Sequence, residues 1–170
     1  MATNPAVTLE RASQADAGTV ANLLQLYIHD LSAIFPNVEI GPDGLFRYDH
    51  LPLYWSEGDE RFAFLIRWRG SLAGFALATR GSPASDDPNV LDVAEFFVVR
   101  RFRRKGVGRE AARLLWNALP GKWTVRVSEA NNAALLFWAL TVPELVGGAN
   151  VTLLPGNPNA WRVYSFDSRI

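Results

Sequence analysis

Apolar residues recur at Val20, Leu23, Leu24, Tyr27, Ile28 and Leu31, a spacing of threes and fours that puts them on one face of a helix. Ser13, with Asp16 three positions on, supplies the start signal, and residues 7–11 ahead of it read as a short strand. Pro36 and Gly41-Pro-Asp-Gly44 break the chain before a less regular helical stretch expected near residues 46–54. From Arg61 the period changes to that of strands. Residues 62–68 and 72–79, joined across Arg69-Gly70-Ser71, predict a hairpin. A polar loop rich in turn residues fills 81–89. Residues 90–99 are apolar on both faces, which predicts a central strand covered on both sides.

Beyond it, Val107, Ala111, Leu114, Leu115 and Ala118 predict the buried face of another helix, stopped by Pro120-Gly121. Trp123, Val125 and Val127 alternate with polar residues as a strand does. Residues 131–140 read as a helix ending before Pro143, and 151–154 with 161–166 as a last hairpin across Pro155-Gly-Asn-Pro-Asn159. The order β-α-α-β-β-β-α-β-α-β-β predicts an α/β fold: a mixed sheet with helices on both faces. With no internal repeat or low-complexity linker in 170 residues, a single domain over 1–170 is expected.

Composition narrows the chemistry. About half the residues are apolar, and six tryptophans and ten phenylalanines give a core its bulk. Cysteine is absent, which excludes disulfides, thiolate metal sites and a cysteine nucleophile, and suits a reducing cytoplasm. A formal net charge of zero gives no reason to expect nucleic acid as partner. The opening Met1-Ala-Thr-Asn-Pro has neither a basic nor an apolar leader region, and no run approaches the roughly 18 apolar residues of a membrane span. A soluble, unexported, cytoplasmic protein is the expectation. His29 and His50 lack metal-ligand spacing, so no metal is expected. The aromatic richness leaves room for a homodimer contact.

The segment that carries chemistry is Arg103-Arg-Lys-Gly106-Val-Gly108, between the central strand and the next helix. Two glycines allow a sharp turn and a close approach of ligand to main chain. The unpaired N–H groups of Lys105 to Arg109 would face outward at the positive end of the helix, a cradle for phosphate or pyrophosphate. Arg100, Arg101, Arg103, Arg104, Lys105, Arg109 and Arg113 crowd around it, opposed locally only by Glu110. It is not a Walker loop, since no Gly-Lys-Ser/Thr follows. A dinucleotide fingerprint, whose third small residue Ala111 fills only loosely, normally opens a βαβ unit with an acidic ribose ligand after the next strand. Here that strand is followed by Ser128-Glu-Ala-Asn-Asn, and the unit comes late in the chain. A nucleic-acid binder fits poorly, because the cluster lacks interleaved aromatics beyond Phe102.

Here the chain resembles the GNAT superfamily of acetyl-CoA-dependent N-acetyltransferases. The family's Gln/Arg-x-x-Gly-x-Gly/Ala matches Arg103-x-x-Gly106-x-Gly108, its preceding strand end matches Phe96-Phe-Val98, and Asn-x-x-Ala-x-x-x-Tyr is met as Asn131-x-x-Ala134-x-x-x-Trp138. The resemblance implies a mixed, mostly antiparallel sheet of about seven strands flanked by about four helices, its fourth and fifth strands splayed to admit acetyl-CoA. It implies direct transfer of the acetyl group to an amine acceptor, a small molecule or peptide. By position, Arg104, Lys105, Gly106, Val107, Gly108 and Arg109 would hold the pyrophosphate with Arg103. Main-chain groups at Val98 and Val99 would pair with the pantetheine arm, Asn131 would hydrogen-bond it, and Phe137 would pack near it.

Trp138 stands where many members carry a tyrosine acid, and an indole N–H has no accessible acidity. A thiol, whose ordinary pKa is about 8.5, needs little help to leave. Tyr164, Tyr54 and Tyr27 are other acids the chain offers. The missing tyrosine keeps a second reading open, a non-catalytic acyl-CoA-binding module. A base is needed because an amine of pKa about 10 arrives protonated. Asp92 and Glu95 are the candidates, with Glu95 preferred. Strict alternation puts Asp92 on one face with Phe96 and Val98 and Glu95 on the other, unless a bulge intervenes. His29, Asp30 and Tyr48 are the candidate acceptor-binding residues.

Overall fold

The computed structural model describes residues 6–169; the reading of the opening five residues lies outside them. Strand β1 (Val7–Arg11) leads into helix α1 (Ala17–Ser32). The one-turn α2 (Leu53–Ser56), β2 (Arg61–Trp68), β3 (Ser71–Arg80) and β4 (Leu91–Val98) follow. Then come α3 (Val107–Ala118), β5 (Lys122–Ser128), α4 (Asn132–Val146), β6 (Asn150–Leu154) and β7 (Trp161–Asp167). One seven-stranded sheet runs β1-β2-β3-β4-β5-β7-β6. Only β4 and β5 pair in parallel, and that pairing covers Leu91–Val93 against Trp123–Val125 before the two strands part.

Two apolar layers sandwich the sheet. On one face, Val20, Leu23, Leu24 and Ile28 of α1 pack with Tyr54 on Leu65, Phe75, Leu77 and Phe97. On the other, Leu115 and Trp116 of α3 and Trp138, Val142 and Val146 of α4 cover Phe62, Phe64, Leu91, Val93 and Val125. The stripe expected on α1 is therefore the stripe it buries. On α3 the buried face is Val107, Ala111, Ala112, Leu115 and Trp116, and Ala118, expected inside, is exposed. Trp116 takes the space because its ring reaches Phe166 at 4.7 Å between centroids.

Two other expectations are corrected. Residues 46–54 do not form a helix: only Leu53–Ser56 closes a turn, and the chain before it crosses the sheet face irregularly. Helix α4 does not end before Pro143 but carries it inside, closing at Gly147 with a φ of +71°. Burial of Val142 and Val146 offsets the one main-chain hydrogen bond that proline removes. Among the described residues no helix is long and apolar enough to cross a membrane.

Candidate active site

The register of β4 decides which side chains meet. Leu77 of β3 faces Glu95 and Ala78 faces Val93, so Ala94 is an extra residue, a β-bulge. The bulge turns Glu95 onto the face that already holds Asp92, the α1 side, while Phe96 and Val98 point to α3 and α4. Strict alternation had placed Asp92 with Phe96 and Val98; one inserted residue separates them.

Asp92 and Glu95 sit in different environments. Asp92 is 1% exposed and takes both Nε (3.0 Å) and Nη2 (2.8 Å) of Arg126, the Thr124 hydroxyl at 2.6 Å and the Ser82 hydroxyl at 3.3 Å. Its lone pairs are spent on a buried ion pair. Glu95 has no such guanidinium on it. Its Oε1 accepts from the Tyr48 hydroxyl at 3.3 Å. Burial pushes the Glu95 carboxyl up to about 7; hydrogen bonds from Tyr27 and Tyr48 and the charge of Arg126 pull the other way, and Asp92 adds to the rise. Tyr27 and Tyr48 are themselves driven well above the ordinary phenol range by burial and by Glu95, and burial pushes Tyr54 up to about 12. The phenols stay protonated and serve as donors.

Tyr48 and Glu95 form the partition between two cavities. The smaller, about 280 Å³, lies between α1 and residues 37–48. The larger, about 570 Å³, runs under α2 toward Asp92 and Arg126. A carboxyl poised near neutrality at the junction of two openings is the group of this site best suited to move a proton.

At the other end of β4 the glycine turn has the expected form. Gly106 is the N-cap of α3 with φ +76°, and a Cβ there would meet nothing within 4 Å. Glu110 N–H bonds Gly106 C=O at 3.0 Å, so the helix ladder begins at Glu110 and the amides of the first turn point past it. Gly108 is glycine for another reason: its Cβ would lie 3.1 Å from the Phe137 ring. That ring stacks on Phe96 of β4, 6.1 Å between centroids, on the face of the sheet that α3 and α4 cover. Val99 N–H is taken by Ala73 C=O at 2.8 Å, so along the ladder Val98, one residue earlier, turns its main-chain groups away from β3 and into the gap.

Residues 24–142 match the model of the acetyltransferase (GNAT) family. The chain belongs to that family. As a GNAT acetyltransferase it shares its fold with solved structures far from it in sequence. A GNAT-family protein from Desulfovibrio desulfuricans is 14% identical, with 96% of this chain and 99% of that one aligned at a TM-score of 0.64. The yncA protein of Salmonella typhimurium, solved with acetyl-CoA, is 17% identical over 96% and 95% of the two chains, at 0.63. An aminoglycoside acetyltransferase, AAC(6')-Ib, solved with coenzyme A, is 14% identical over 95% and 94%, at 0.67. Among curated proteins there is no match.

Within this GNAT fold the sequence-predicted residues divide. Tyr48 meets Glu95. His29 is exposed at the end of α1, its ring 6.3 Å from that of Phe46 and outside both cavity linings. Asp30 bonds Arg100 Nη2 at 2.5 Å and Arg103 Nη2 at 2.9 Å. Burial alone would raise the Asp30 carboxyl, but those two guanidinium groups hold it below the ordinary range. Arg103 also donates through Nε to Val98 C=O at 2.6 Å, which occupies one of the main-chain groups expected to be open. Arg109 pairs with Glu144, and Arg113 with Glu110. Carboxylates distant in sequence thus oppose much of the basic cluster. Arg101, Arg104 and Lys105 have no carboxylate partner among the described residues and are exposed.

Asn131 caps α4, its Oδ1 accepting from Ala134 N–H at 3.1 Å, so its amide NH₂ is the end left to donate. Trp138 is 6% exposed and wedged between Phe96, Phe137 and Trp116. Sequence reasoning missed Arg126 and Gln25. Arg126 carried a signal, a cation between Val125 and Val127 in a buried strand. Gln25 carried none.

Proposed function

We propose that the protein uses acetyl-CoA to acetylate an amine by direct transfer, with Glu95 as the general base. The observation that carries the reading is the Ala94 bulge, which brings Glu95 to the α1-side cavities while Val98, three residues on, faces the gap between β4 and β5. The gap, the Gly106 turn and the cations Arg104 and Lys105 fit a long thioester carrier with a pyrophosphate. First-turn amides of α3, from Val107, Gly108 and Arg109, would hold the diphosphate, and Gly106 leaves room for it. Phe137 and Phe96 would floor the arm, and the Asn131 amide would donate to it.

When bound, acetyl-CoA supplies the activated carbonyl carbon and a thiolate leaving group. The Val98 N–H would meet the carbonyl oxygen as negative charge develops there. Glu95 takes the proton that the ammonium sheds. The amine nitrogen then bonds the carbonyl carbon as the C–S bond breaks, coenzyme A departs with the electron pair, and the second nitrogen proton passes to water to leave the neutral amide. Trp138, locked in the core, does not protonate it, and at a thiol pKa of about 8.5 it need not. Asp92 we assign a positioning role, holding Arg126 beside the base. Asp30 we reassign from the acceptor to the loop before α3, since both its oxygens hold arginines there.

The test is thiol release from acetyl-CoA across an amine panel, beside calorimetric binding of acetyl-CoA. Wild type should turn over and Glu95→Gln should bind normally but turn over poorly. Tight binding with no acetylation of any amine would favour the acyl-CoA-binding module instead.

A further inference from the structure

We propose that the acceptor is a primary amine on a short apolar or aromatic body, seated in the smaller cavity with its nitrogen at Glu95. The proposal deepens the acetyl-transfer reading and rests on it. The two cavities share Tyr48 and Glu95 but differ in what they offer a ligand. In the larger one two arginines are already answered: Arg126 is held by Asp92 at 2.8 Å and Arg61 by Glu57 at 2.7 Å. A polycation entering there meets three guanidinium groups, Arg61, Arg80 and Arg126, and of the four carboxylates only Glu60 and Glu95 carry no ion pair among the described residues.

The smaller cavity is walled by Ile28, Leu31, Val38 and Phe46, with Glu95 at its inner end beneath Tyr27 and Tyr48. Its other two charges, Glu39 and Arg47, are exposed and opposite in sign. Apolar walls recognise an apolar body, and a single inner carboxylate recognises one ammonium. At about 280 Å³ the space lies just below the usual range of ligand pockets, roughly 300–1,000 Å³, so the body is small. The larger cavity, which Glu95 also lines, then gives it a second opening through which to return its proton to solvent.

The experiment uses the full chain with acetyl-CoA and three probe amines: phenethylamine, spermidine and glycinamide. Phenethylamine should exceed both others in kcat/KM by about tenfold or more, the scale on which an apolar pocket discriminates. Leu31→Gln, at a half-buried wall position, should raise KM for phenethylamine several-fold, keep kcat within about twofold and leave KM for spermidine unmoved. Spermidine or glycinamide matching phenethylamine overturns the proposal and leaves the acetyl-transfer reading standing; so does a Leu31→Gln effect equal on all three. Binding of acetyl-CoA with none of the probes or any other amine acetylated overturns both.

Discussion

The side-chain amide of Gln25 bonds both main-chain groups of Phe46, donating to its C=O at 2.9 Å and accepting from its N–H at 2.8 Å. One helix side chain thus does for an irregular loop what a neighbouring strand does for a sheet, and it fixes the chain two residues before Tyr48. Gln25→Ala should free Tyr48 from Glu95. A carboxylate that loses a donor becomes easier to protonate, so the midpoint of the kcat–pH profile should rise. Tyr48→Phe should raise it as well, and the double variant should shift it little further than either alone.

With Glu95 near 7, kcat should climb with pH through about 7 in the wild type as the base loses its proton. Glu95→Gln should lose that limb and about 10²-fold or more of kcat, with acetyl-CoA affinity within about twofold by calorimetry. A flat wild-type profile would remove Glu95 from the mechanism.

The same carboxyl links stability to pH. Below its ordinary value of 4.5 both the folded and the unfolded chain hold the proton; between 4.5 and about 7 only the fold keeps it. The folded state binds more protons there, so stability falls as pH rises through this window and levels off above it, by about 3 kcal/mol at most for this group. Urea unfolding at pH 4.5, 6 and 8 should show the fall in wild type and a flatter line in Glu95→Gln.

Gly108→Ala pushes a methyl to 3.1 Å from the Phe137 ring. Overpacking of this kind costs about 1–3 kcal/mol and should lower both Tm and acetyl-CoA affinity. Phe137→Leu in the same chain should restore Tm, because it removes the atoms that collide.

Arg126→Met leaves Asp92, 1% exposed, as a buried charge without its cation. Breaking such a pair costs about 3–5 kcal/mol, read as a lower urea midpoint. Replacing Asp92 by Asn as well should recover part of the loss.

The chain by itself determined its periodic elements and its glycine turn. The stripe of α1, the hairpin of β2 and β3 and the turn at Gly106 all express local constraints: spacing along the chain, or a φ that only glycine adopts cheaply. Tertiary structure decided what those elements bring together. The path of residues 33–52 depends on Gln25 reaching across 21 positions, and the arginines before α3 find Asp30 across 70 and 73. The face of Glu95 depends on one extra residue in β4, which the pairing with β3 sets and which the apolar pattern of residues 90–99 does not reveal. Contacts of that range are chosen by packing on the sheet, and a pattern read along the chain carries no distance between its parts.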